Sequence, residues 1–169
     1  MKKIIFTGLL LLKMTTILAQ ELDDITTTYF LIRHAEKVRV YSADANPDLN
    51  ERGYQRAENW KNILQHISFD AIYSTDYTRT LKTVEPIAIM SNLEPILYHP
   101  LEVDYELFQT ENKGKNVLIV GHSNSIPQFV NALIKQQKYP EMDDAEFSHL
   151  YIVTIKGNLI TDLLLYIDF

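Results

Sequence analysis

Tyr29-Phe30-Leu31-Ile32-Arg33-His34-Ala35-Glu36 decides how this chain folds, because four apolar residues run straight into an arginine and a histidine. A short uninterrupted apolar run reads as a strand covered on both faces, and polar groups just past its end stand where open α/β sheets gather their ligands. The pattern returns at Val117-Leu118-Ile119-Val120-Gly121-His122-Ser123. Two histidines and an arginine delivered by the C-terminal ends of two buried strands can converge on one small anion.

Outward from these two runs, short apolar segments alternate with longer ones of helical period. Strands are expected at 29–33, 71–74, 95–98, 117–121, 150–155 and 159–167. Between them Ala57, Trp60, Leu64 and Ile67 form one stripe, Leu81, Val84 and Ala88 a second, and Ile126, Phe129, Val130, Leu133 and Ile134 a third. This βαβ alternation predicts a three-layer α/β fold, a mostly parallel sheet flanked by helices. The tight turn Lys156-Gly157-Asn158 predicts an antiparallel C-terminal hairpin at one edge.

Composition sets the outer limits. With 169 residues, 46% hydrophobic and 22% charged, the chain has the profile of one globular domain with its own core. A formal charge of -6 argues against nucleic acid as a partner, since phosphate-backbone binding needs a basic face. There is no cysteine, hence neither disulfide nor thiol chemistry.

Residues 1–19 differ from the rest: Lys2 and Lys3 lead an apolar segment broken by Lys13, ending at Ala19 before polar Gln20-Glu21. That shape is read as a signal peptide ahead of a domain over 20–169, with an N-terminal strand or short anchor helix as the alternative. The apolar stretch is too short for the ~20 residues of a permanent bilayer span, so no stable membrane insertion is expected. The expected location is exported, periplasmic or secreted.

On this scaffold His34 follows the first strand, Ser74 ends the second, Arg79 opens the next helix and His122 follows the fourth strand. Taken singly, each has an ordinary structural reading. Together, Arg33, His34, Arg79 and His122 at one sheet edge have the layout of a phosphate site with two guanidinium groups to grip the oxygens. No metal-ligand cluster is visible, and neither metal nor cofactor is expected.

The order of motifs resembles that of the histidine phosphatase superfamily, also called phosphoglycerate-mutase-like, and in size its short single-domain branch. Arg33-His34-Ala35-Glu36 is similar to the family signature, Leu49-Asn50-Glu51-Arg52-Gly53 to its second motif, Ser74 through Arg79-Thr80 to Thr83 to its third, and Gly121-His122-Ser123 to its last. The resemblance implies that His34 is a nucleophile forming a phosphohistidine, with Arg33, Arg79 and His122 on the phosphoryl oxygens. Neighbouring cations are expected to keep His34 neutral and reactive.

The resemblance also proposes Asn50, Ser123, Glu36 and Lys37 as substrate contacts, although Asn50 reads first as a helix cap and Glu36 and Lys37 read equally as solvated side chains. A proton donor for the leaving oxygen matches no family motif, and Glu102, Asp104 and His99 are the candidates in the segment after the third strand. The activity implied is hydrolysis of a phosphomonoester on a small molecule. Hydrolysis of protein phosphohistidine, and a phospho-ligand binding module without turnover, are the alternatives.

Overall fold

The structure is a computed structural model and describes residues 25–39 and 44–168; the expected signal segment 1–19 lies outside the described residues. In chain order the elements are β1 (Thr26–Arg33), α1 (Glu51–Leu64), β2 (Ala71–Ser74), α2 (Thr78–Ser91), β3 (Ile96–Leu97), α3 (Tyr105–Glu111), β4 (Asn116–Gly121), α4 (Ser125–Ile134), β5 (His149–Lys156) and β6 (Leu159–Tyr166). One sheet takes the order β3-β2-β4-β1-β5-β6. Its first four strands are parallel, and β5 and β6 join antiparallel at one edge. The α/β architecture expected from the βαβ alternation is thus present, with the hairpin closed by the two residues Gly157 and Asn158.

Strand period sorts the core into two layers. Tyr29, Leu31, Val117, Ile119, Tyr151 and Val153 face Phe108 of α3 and Phe129 and Leu133 of α4. Phe30, Ile32, Ile72, Leu118 and Val120 point the other way, onto Trp60 and Leu64 of α1 and Val84 and Ile87 of α2. Burying each such side chain contributes roughly 1.5–3 kcal/mol. Because both faces of β1 and β4 are covered, their sequences show continuous apolar runs instead of alternation.

The register then fixes where the polar ends fall. Arg33 lies opposite Gly121, Ser74 lies opposite Val120, and His34 N donates to Gly121 O at 2.9 Å. Three parallel strands therefore end side by side, and the chain leaves each of them at the same edge.

Two details differ from the sequence reading. In the segment after β3, where Asp104 is a candidate proton donor, residues 105–111 form α3 and Asp104 is its N-cap, accepting from Glu106 N and Leu107 N at 3.1 Å. On α2 the buried stripe is Thr80, Thr83, Val84, Ile87 and Ala88, with Leu81 only half-buried. Among the described residues, no helix is long and apolar enough to cross a membrane.

Candidate active site

His34 is the first residue beyond β1, buried, with its Nδ1 2.8 Å from Ala35 O. A carbonyl can only accept, so Nδ1 carries the proton and Nε2 of the neutral ring holds the lone pair. Loss of solvent is the largest influence on this ring, and Arg33, His122 and Arg79 add to it, lowering its pKa from 6.5 to about 3 against the opposing pull of the Ala35 carbonyl. Cations were expected to lead that shift; burial leads it instead. The outcome is an imidazole that stays neutral, and so nucleophilic, far below neutral pH.

The turn after His34 is tied to the neighbouring helices. Ala35 N donates to Thr83 Oγ1 at 2.8 Å, and Thr83 Oγ1 in turn donates to Arg79 O at 2.6 Å. Asn50 N donates to Glu36 O at 2.9 Å, which brings the start of α1 against the same turn. Gly53 is required for that approach, since a Cβ there would stand 2.1 Å from Glu36 O.

His122 follows β4 and faces His34 with ring centroids 5.4 Å apart. Its backbone N donates to Ser125 Oγ at 3.0 Å, and its Nε2 lies 3.0 Å from Thr75 Oγ1. Thr75 Oγ1 donates onward to Thr80 Oγ1 at 3.1 Å, and Thr80 Oγ1 to Thr75 O at 2.8 Å, so the one donor left for the first link is Nε2–H of His122. Its pKa is lowered from 6.5 to about 4, first by burial and then by Arg79, Arg33 and Lys37. His122 is therefore neutral at pH 7 in this state. Gly121 before it leaves room for two neighbours, since a Cβ would meet Tyr98 Oη at 2.8 Å and Ser125 Oγ at 2.9 Å.

The two arginines are held differently. Arg33 Nη1 donates to Asp143 O at 2.9 Å and Glu146 O at 2.7 Å, Nη2 donates to Asp144 Oδ1 at 2.9 Å, and the guanidinium lies 4.2 Å from the Phe147 ring centroid. Only its Nε is buried without a hydrogen-bond partner. Arg79 stacks 4.2 Å from the Tyr77 centroid and has both Nε and Nη1 buried without a partner. Two gripping guanidinium groups were expected; one is free to grip, and the other is held from behind by the segment preceding β5. That segment carried no local sequence signal.

The remaining expected contacts separate. Glu36 pairs with Arg56 through Nε–Oε2 at 2.9 Å and Nη2–Oε1 at 2.8 Å, and with Arg52 at 3.1 Å. Burial would raise its carboxyl, and the arginines overturn that and hold it below its ordinary value. Its carboxylate is thus an anchor between the His34 turn and α1 and not the substrate contact expected. Asn50 caps α1 through Gly53 N at 2.9 Å, and its Nδ2 donates to Lys37 O at 3.3 Å. Lys37 bridges to Leu49 and is close enough to His122 to act on it electrostatically. Ser123 contributes its carbonyl to Met142 N at 3.0 Å.

Of the three expected proton donors, one reaches the site. His99 lines the cleft that contains His122 and Arg79. Glu102 is 79% exposed, 3.8 Å from His99 Nδ1 and outside the lining of that cleft, and Asp104 is occupied as a helix cap. Asp76 lines the cleft without having been singled out. Among the described residues, no group of three or more His, Cys, Asp or Glu side chains is placed to hold a metal ion.

A family model for the histidine phosphatase superfamily (branch 1) matches residues 29–109. That span contains Arg33-His34 and Arg79 and stops before His122, which the fold brings to the same place. No curated protein matches the sequence. Among solved structures, phosphoglycerate mutase from Bacillus anthracis str. Sterne is 18% identical with a TM-score of 0.62, covering 86% of this chain and 95% of that chain. The protein histidine phosphatase SixA, solved in complex with tungstate, is 17% identical with a TM-score of 0.63 over 82% and 96%. A mycobacterial glucosyl-3-phosphoglycerate phosphatase is 12% identical with a TM-score of 0.61 over 84% and 98%. At such identities the likeness is one of fold. With the model matched over residues 29–109, the shared fold and four motifs in order, the chain is similar to the histidine phosphatase superfamily.

Proposed function

We propose that this protein hydrolyses phosphomonoesters of small molecules through a phosphohistidine on His34, without a metal or cofactor. The observation that carries this reading is the set of buried N–H donors without partners, Nε and Nη1 of Arg79 and Nε of Arg33, beside a buried neutral histidine. Unsatisfied buried donors cost about 1–3 kcal/mol each, and a bound phosphoryl group removes that cost. His34 Nε2 attacks phosphorus, the N–P bond forms, the P–O bond to the leaving group breaks, and the departing oxygen takes a proton. Water then attacks phosphorus, the N–P bond breaks, and inorganic phosphate and free His34 result. Phosphoryl transfer depends on positioning and charge stabilisation, which the arginines and His122 supply.

His99, the one expected donor that lines the cleft, serves the leaving oxygen. Export of the domain over 20–169 after cleavage near Gln20 is part of the same proposal and separates it from hydrolysis of protein phosphohistidine inside the cell. Its check is N-terminal sequencing of protein from its native source, where an intact Met1 speaks for the intracellular reading. The chemistry is tested by trapping radiolabelled phosphate on the protein during turnover of p-nitrophenyl phosphate. Acid-labile, base-stable label on His34 is the expected result, and turnover with no labelled histidine overturns it.

A further inference from the structure

Beside the anion site lies a cleft of about 590 Å³ whose lining includes His122 and Arg79. Its wall is unusual for a polar site. Tyr77, Leu97, Tyr98, Pro100 and Leu101 contribute to it, and Tyr77, Leu97 and Leu101 remain 39%, 55% and 86% exposed. Apolar side chains in the lining of a cleft that also holds a polar grip mark where an apolar part of a ligand rests.

The charge pattern is equally specific. Apart from Arg79 and the histidines, Asp76 is the one residue of the lining that carries a formal charge, and it is exposed with no hydrogen bond or ion pair to the described residues. No lysine or second arginine lines the cleft; Lys37, although near His122, is not in its wall. A leaving group with its own carboxylate or second phosphate would find no cation free to receive it.

We propose that this cleft receives the leaving group and that Asp76 makes it selective for phosphomonoesters of aromatic or apolar alcohols that carry no second negative charge. The proposal rests on the phosphatase reading and narrows its substrate class. A carboxylate in the wall repels a second anion at a few ångströms, an effect on the order of tenfold at the dielectric of a half-open site.

The test is a charge series on one scaffold: phenyl phosphate, 4-(aminomethyl)phenyl phosphate and 4-carboxyphenyl phosphate, with kcat/KM measured for the native protein and Asp76→Asn. The carboxylate slightly improves the phenolate as a leaving group, so intrinsic reactivity runs against the expected order. The anionic ester should fall about tenfold below phenyl phosphate in the native protein, and that gap should close in Asp76→Asn while phenyl phosphate changes less than about twofold. Leu97→Ser, at an exposed position, should raise KM for phenyl phosphate about threefold and leave inhibition by inorganic phosphate unchanged. Equal turnover of the anionic and neutral esters overturns the proposal, as does an equal loss on all three esters in Asp76→Asn, which would assign the carboxylate to proton donation. Calorimetric binding of the three compounds to His34→Ala reads the same charge order with no turnover, so absence of catalysis sinks the phosphatase reading without deciding this one.

Discussion

Arg33 Nη2 donates to Asp144 Oδ1 at 2.9 Å, linking the end of β1 to a segment 111 positions away in the chain. With Nη1 on the carbonyls of Asp143 and Glu146, that guanidinium is fixed by protein on three sides, whereas Arg79 keeps two donors open. One arginine is positioned and the other is available. The difference is one of degree: Arg33 keeps only Nε open and chiefly stabilises the fold, whereas the two open donors of Arg79 stabilise what binds to them.

Arg79 therefore trades stability for binding. Arg79→Met should lower kcat/KM for p-nitrophenyl phosphate about 10³-fold, and Arg79→Lys should recover little, since a point charge cannot replace two fixed donors. The same Arg79→Met protein, without anion, should unfold at an equal or higher temperature because buried orphan donors have been removed. Arg33→Met should lose both activity and stability. Steady-state kinetics with thermal unfolding separate the two arginines, and parallel behaviour would contradict the division.

His34→Ala should reduce hydrolysis of an aryl phosphate at least about 10³-fold, as expected for loss of a covalent nucleophile. His34→Asn should still bind phosphate, because the open donors of Arg79 remain. A chelator should leave the native rate unchanged; loss of activity under chelation would indicate a metal-dependent hydrolase.

Much of this was legible in the sequence, and for identifiable reasons. The strands over 29–33, 71–74 and 117–121 were readable because each is covered on both faces and shows as an apolar run, and their polar ends followed from topology. Helix α3 was not, because it spans seven residues and buries chiefly Phe108, too short for a period to show. The clamp of residues 143–147 on Arg33, the Glu36–Arg56 pair and the Thr75–His122 link join positions far apart in the chain. No local pattern encodes such contacts. Asp104 could have been recognised as a helix cap, and that would have removed it from the proton donors.

The buried Glu36–Arg56 pair, which anchors the His34 turn to α1, gives a test of fold energetics. Glu36→Ala takes the carboxylate from a buried guanidinium and should cost about 3–5 kcal/mol of unfolding free energy, far above an exposed pair. The double change Glu36→Met with Arg56→Leu should recover most of it. Chemical denaturation of the single and double variants checks the ordering, and a single-variant cost below about 1 kcal/mol would show the pair to be dispensable.

The last prediction concerns protons. His34 and His122 have folded-state pKa values of about 3 and about 4, both below the unfolded value of 6.5. Above about pH 6.5 neither folded nor unfolded chain binds these protons, and stability does not depend on them. As pH falls from there toward 4, the unfolded chain takes up protons that the folded chain refuses, so stability should decline across that window; His149, also lowered, adds to the slope. An anion that touches both rings reverses the burden by favouring their charged forms. Sulfate, a dianion throughout this range, should therefore bind with net proton uptake and raise the unfolding temperature more at pH 5 than at pH 8. Its affinity should increase by up to about tenfold per pH unit for each proton taken up. Calorimetry at pH 5.5 in two buffers of different ionisation enthalpy measures that uptake directly. His122→Gln should remove a large part of it, and binding without proton uptake in the native protein would mean that neither histidine meets the anion.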